Sequence, residues 1–112
     1  MPVPDSSILR VLRLLDASPR LTQRDMAREL DVSLGKANYC LRALTAMGFV
    51  KVQNFRNSTN KRGYVYLLTP EGAAAKANLT RHFLARKREE YDALRVEVER
   101  LQRESEGVVE VP

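Results

Sequence analysis

After Thr69-Pro70-Glu71-Gly72 the chain has no further Gly until Gly107 and no further Pro until Pro112. That stretch permits one uninterrupted helix. Thr is a good N-cap, Pro suits the first helical position, and Glu in the first turn meets the positive end of the helix. A helix from 70 to about 104 would be roughly 50 Å long at 1.5 Å per residue. A domain of about 70 residues cannot cover a rod of that length, so part of it must protrude. The protruding half carries Leu84, Tyr91, Leu94, Val98 and Leu101. Their steps of 7, 3, 4 and 3 fit the a and d positions of a heptad, with Lys87 on one d. The flanking positions are rich in Glu and Arg. A seam of this kind pairs with a second chain or folds back on its own domain; the coiled coil is the expected use. The expected organisation is a domain over 1–69 and a helix over 70–112 for dimerisation, with a frayed tail.

The chain has 112 residues, 44% of them hydrophobic, enough for one small core. No apolar run approaches the roughly 18–20 residues of a membrane span. The start MPVPDSSILR has no basic segment before an apolar stretch, so no secretory leader is expected. One Cys cannot form an internal disulfide or a Cys-based zinc site, which fits a reducing cytoplasm. The net charge of +5 is uneven. Residues 1–70 hold 11 Lys+Arg and 5 Asp+Glu, a net +6, whereas residues 71–112 hold 8 and 9, a net −1. The first part is therefore the basic module, suited to a polyanion.

Within it, Ile8, Val11, Leu12 and Leu15 share one helical face after Asp5-Ser6-Ser7, and Ser18-Pro19 ends that helix. Leu21 packs inward from a short extended link. Thr22 caps a second helix, with Asp25 three residues on. Met26, Ala27 and Leu30 form its buried stripe. Asp31 tolerates a left-handed turn, Ser33 caps a third helix running to about Met47, and Gly48 ends it. Residues 49–55 and 63–69 read as two strands of an antiparallel hairpin with a polar tip between them. The fold class is mainly α with a small antiparallel β-hairpin (α+β).

The spacing Gln23-x-x-x-Ala27-x-x-x-Asp31-Val32-Ser33-x-x-x-Ala37-x-x-x-Leu41-x-x-Leu44 is a helix-turn-helix signature. Ala27 is small where two helices cross, and Asp31-Val32 makes the turn. Ala37, Leu41, Leu44 and Leu34 fall within about 80° of one another and are expected to face the core. Gly35, Tyr39 and Arg42 lie opposite, flanked by Lys36 and Asn38, with Ser33 at the helix start. This face offers donors, acceptors and positive charge without an acid. A helix of this kind enters the major groove and meets base edges with its N-terminal half. Arg42 suits phosphate or a guanine edge, Asn38 adenine, and Tyr39 phosphate or a thymine methyl. The hairpin tip, with Arg56, Asn57, Lys61 and Arg62, reads as a wing aimed at phosphates or an adjacent minor groove.

The runs Leu30-Asp31-Val32-Ser33 to Leu44, Met47-Gly48-Phe49-Val50 and Tyr66-Leu67-Leu68-Thr69-Pro70-Glu71-Gly72 resemble the winged helix-turn-helix of MarR-type bacterial transcriptional regulators. The resemblance spans roughly residues 6–104 and is similar, more narrowly, to the small members associated with exopolysaccharide gene clusters. It implies a dimeric repressor or activator on double-stranded DNA with a pseudo-palindromic operator. Asn60-Lys61-Arg62 stands where larger members carry Asp-x-Arg in the wing. The longer flanking helices that build their dimer domain and small-ligand pocket are also missing.

No Gly-rich phosphate loop, metal-ligand cluster or nucleophile–base–acid set is visible, so no enzyme, catalytic residue, metal or cofactor is expected. Cys40, beside the buried arc, reads as a small buried hydrophobe; its alternative is a redox switch. His82 is solitary and reads as a surface or interface residue. Tyr64 and Tyr66 read as sheet packing. Arg86-Lys87-Arg88 reads as a solvated helix face. Two alternatives stand beside the regulator: a winged-helix protein-interaction module, and a sequence-independent DNA-binding protein.

Overall fold

The computed structural model describes residues 3–56 and 62–107. The element order is α1 (Asp5–Ala17), α2 (Gln23–Leu30), α3 (Leu34–Ala46), β1 (Val50–Arg56), β2 (Arg62–Leu68) and α4 (Pro70–Glu106). The fold is mainly α with a two-stranded antiparallel sheet, as expected. Contacts divide the chain into two units, Met1–Thr80 and Arg81–Pro112. The first unit therefore takes in the opening turns of α4.

The core of the first unit is built from Ile8, Val11, Leu12 and Leu15 of α1, Met26 and Leu30 of α2, and Cys40, Leu41 and Leu44 of α3. Leu12, Met26, Leu41 and Leu44 have no exposed surface. Val50 and Tyr66 close the core from one face of the sheet. Val52 pairs with Tyr66 and Val50 with Leu68, so these four share a face, and on it Val52, farther along the hairpin, is exposed. Tyr66 is buried while Tyr64 is exposed, so sheet packing describes only the first of the two tyrosines. Leu21 adds a single antiparallel bridge, its carbonyl accepting from Tyr66 N–H at 2.8 Å. The extended link is thus tied to the edge of the sheet by one isolated bridge.

The turns form where the residue types dictate. Thr22 accepts from Asp25 N–H at 3.1 Å, and the Asp25 carboxylate accepts from Thr22 N–H at 3.2 Å. This reciprocal capping box starts α2. Hydrogen bonding from the Thr22 side chain, then from its backbone N–H, with the nearby Arg28 charge, holds the Asp25 carboxyl below its ordinary value of 3.8. Asp31 ends α2 in the left-handed conformation, at φ 56°. Gly48 does the same after α3, at φ 82°. Arg20 also has a positive φ, at 70°, in the link after Pro19.

Thr69 joins the sheet to α4. Its hydroxyl accepts from Gly72 N–H at 2.9 Å and donates to the Gly48 carbonyl at 2.6 Å. Gly72 is buried against Phe49, and Ala75 and Leu79 pack on the core from the next turns. The second unit, taken alone, is a solvated helix.

Candidate nucleic-acid interface

Three hydrogen bonds set the geometry of α2 and α3. Val32 N–H donates to Ala27 O at 3.0 Å and tightens the turn. Gln23 Nε2 donates to Leu34 O at 3.1 Å, tying the start of α2 to the start of α3. Arg10 Nη2 donates to Leu30 O at 3.0 Å, holding the end of α2 to α1. Ala27 is buried where α2 meets its neighbours, consistent with the need for a small residue there. The α3 helix is therefore held firmly by its inner face and left open on the other.

Its inner face is Ala37, Cys40, Leu41 and Leu44. Leu34, which the periodicity places toward the core, is 43% exposed. At 100° per residue, the buried arc is rotated about 30° from the expected one, away from Leu34 and toward Cys40. Cys40 takes the place in the core that Leu34 was given. As a buried free thiol it behaves as a small hydrophobe.

The outer face carries Gly35, Tyr39, Arg42 and Ala46, all exposed and within about 60° of one another. Asn38 is half-buried on one flank, beside Leu34. Lys36 lies on the other flank, where it borders a shallow crevice with Arg10, Val32 and Cys40. Ser33 Oγ accepts from Lys36 N–H at 3.1 Å and caps the helix. Its own proton remains available to an acceptor outside. No acid stands in the first turn of α3. Leu34 is thus a surface residue that the sequence reading missed. Cys40, read as a small buried hydrophobe beside the arc, lies within it, and that rotation carries Leu34 out.

The hairpin register runs from Val50↔Leu68 to Arg56↔Arg62. The backbone of Arg56 and Arg62 closes the described part of the wing. Their side chains, and all of Asn57 and Lys61, lie outside the described residues.

Leu84, Tyr91, Leu94, Val98 and Leu101 are all exposed on α4, between 45% and 66%. Tyr91, Leu94 and Val98 line an open groove along the helix with Arg95, Glu99 and Gln102. His82 is exposed and meets Phe83 edge-on, with ring centroids 5.9 Å apart. Among the described residues no group of three or more His, Cys, Asp or Glu is placed to hold a metal ion. Among the same residues, no helix is long and apolar enough to cross a membrane.

Comparison with known proteins agrees with this geometry. Residues 4–51 match the family model for winged helix-turn-helix DNA-binding. Comparison with curated protein sequences gives no significant match. Among solved structures, *Bordetella bronchiseptica* BpsR, whose DNA binding is regulated by 6-hydroxynicotinic acid, is 19% identical with a TM-score of 0.62, over 93% of this chain and 83% of that one. *Staphylococcus aureus* MarR, in complex with salicylate and kanamycin, is 14% identical with a TM-score of 0.62, over 89% and 70%. The chain has a MarR-type winged-helix fold. A third example with that fold is *Streptococcus pneumoniae* FabT in complex with DNA, 19% identical with a TM-score of 0.57, over 89% and 72%.

Proposed function

We propose that this MarR-like chain is a sequence-specific DNA-binding transcriptional regulator that acts as a homodimer in the cytoplasm. The observation that carries the reading is the outer face of α3, where Gly35, Tyr39 and Arg42 stand exposed with no acid among them. That face meets the chemistry of the major groove, where base edges present acceptors, donors and the thymine methyl. Gly35 lets the groove approach the helix closely. Arg42 reaches phosphate or a guanine edge, Tyr39 phosphate or a thymine methyl, and Asn38 an adenine edge. Leu34 adds an apolar contact for a methyl. Ser33 and Lys36, at the start and flank of the helix, serve as phosphate contacts. Arg56, Asn57, Lys61 and Arg62 of the wing bind backbone or the neighbouring minor groove.

The FabT complex with DNA supports this use of the fold. The segmental charge supports it too, since the net +6 lies in residues 1–70. The seam on α4 serves dimerisation. A two-fold dimer reads a pseudo-palindromic operator with half-sites about one helical turn apart.

Selection from a pool of random duplexes tests the proposal. Enrichment of a pseudo-palindrome is the expected result. Binding without enrichment would make the chain a sequence-independent DNA-binding protein. No binding even at low salt would favour a protein-interaction module. The exopolysaccharide association implied by the resemblance becomes testable once the selected operator is located in a genome.

A further inference from the structure

The heptad that fits the seam assigns every other position on the second half of α4. With Leu84, Tyr91 and Val98 at a, the e positions are Arg88, Arg95 and Gln102, and the g positions are Glu90, Glu97 and Glu104. One flank of the seam is thus free of acids and the other is wholly acidic. All six residues are exposed. Among the described residues their ion pairs are local. Lys87 Nζ meets Glu90 Oε2 at 3.1 Å, Arg95 Nη1 meets Glu99 Oε1 at 3.2 Å, and Arg100 Nη1 meets Glu97 Oε2 at 3.4 Å.

We infer that this helix pairs with a second copy of itself in a parallel, in-register coiled coil. In a parallel pair each g residue faces the e residue of the next heptad on the partner helix. Glu90 then meets Arg95 of the other copy, and Glu97 meets Gln102, both favourably and twice by symmetry. In an antiparallel pair e faces e and g faces g. Arg88 and Arg95 would then be drawn together, and so would Glu90, Glu97 and Glu104. The same charges that support one orientation oppose the other.

Register follows from closure. A parallel pair is two-fold symmetric only when the copies are level; a staggered pair leaves an open end. Level pairing places Lys87 opposite Lys87, where each ammonium, 71% exposed and 3.1 Å from Glu90 of its own helix, can reach water at the edge of the seam. Val at a with Leu at d, as at Val98 and Leu101, favours two strands. Parallel pairing brings the two residue-84 ends together, so the two DNA-binding domains leave the coil at the same end.

The inference rests on the homodimer reading, and its test separates the two. Leu84→Cys and Ser105→Cys are made singly in a Cys40→Ala background and oxidised in a glutathione buffer. Both positions are a, about 31 Å apart along the helix. The parallel coil predicts that each variant forms its own covalent dimer and that a mixture of the two forms no crossed product. A crossed 84–105 product, or a reduced protein that sediments as a dimer yet never crosslinks, overturns the orientation and leaves the dimer standing. A reduced protein that sediments as a monomer overturns the dimer reading and the inference with it. Charge exchange gives a second readout with Cys40 intact. Glu90→Lys and Arg95→Glu should each weaken the dimer several-fold, and the double exchange should recover most of that loss. Tighter dimers from the single exchanges would signify antiparallel pairing and refute the inference.

Discussion

Gly72→Ala sets two effects of opposite sign against each other. Gly72 sits in the first turn of α4, where Ala is worth up to about 1 kcal/mol over Gly by helix propensity. Propensity alone therefore predicts a more stable protein. Packing predicts the reverse. A Cβ at this position would lie 2.1 Å from the Phe49 carbonyl oxygen and 2.7 Å from Leu68 Cδ1. The first neighbour is backbone and cannot rotate away. Separating them moves the start of β1 away from α4 by about an ångström. The same oxygen accepts from Thr69 N–H at 3.0 Å. Losing that hydrogen bond costs about 1 kcal/mol, and the forced shift about 1–3 kcal/mol more. After the propensity gain, a net loss of about 1–3 kcal/mol remains. For a unit of this size that lowers Tm by roughly 5–20 °C. Thermal unfolding at fixed protein concentration measures it. Gly48→Ala is the control: its Cβ meets nothing within 4 Å, and only the positive φ opposes it. That cost is about 1 kcal/mol, the low end of the Gly72 range, and it carries no steric part. A Gly72→Ala protein as stable as the parent would refute the close approach of α4 to β1.

Leu12→Ala removes a fully buried side chain from the centre of the core and should cost about 2–5 kcal/mol in chemical denaturation. Thr22→Ala deletes half of the α2 capping box and should cost about 1 kcal/mol by the same assay. The Asp25 carboxyl is depressed in the folded state, so its contribution is present above the ordinary value near 3.8 and is lost as pH falls through the lower folded value. Asp25→Asn should therefore narrow the stability gap between variant and parent on acidification below about pH 4, followed by thermal unfolding across pH.

Local chemistry made most of the fold legible in the sequence. Asp31 and Gly48 take the left-handed turns assigned to them, and Thr22 and Asp25 close their box, because each depends on neighbours within a few residues. The α4 start was equally local, through Thr69, Pro70 and Gly72. What escaped depended on tertiary placement. The Leu21–Tyr66 bridge joins segments 45 positions apart and has no local signal. The rotation of α3 depends on how α1 and α2 pack against it; it leaves Leu34 exposed, while Cys40 is buried as its residue type suggested. The close approach of Phe49 to Gly72 was likewise invisible, since the glycine alone fits a helix start without it. On the candidate face, Gly35, Tyr39 and Arg42 fell together in the sequence because helical periodicity alone places them. Lys36 flanks them, where it also borders the crevice near Arg10.

A regulator of this kind must place the outer face of α3 in the major groove. The sharpest measurement of that placement is titration of Arg42→Ala and Lys36→Ala against the selected operator over a range of salt concentrations, with circular dichroism to show that both remain folded. Arg42→Ala should lose about 1–3 kcal/mol of binding, roughly ten-fold or more. Lys36→Ala should weaken binding across sequences and reduce the salt slope by about 1. Parent affinity and an unchanged salt slope in both folded variants would contradict the claim.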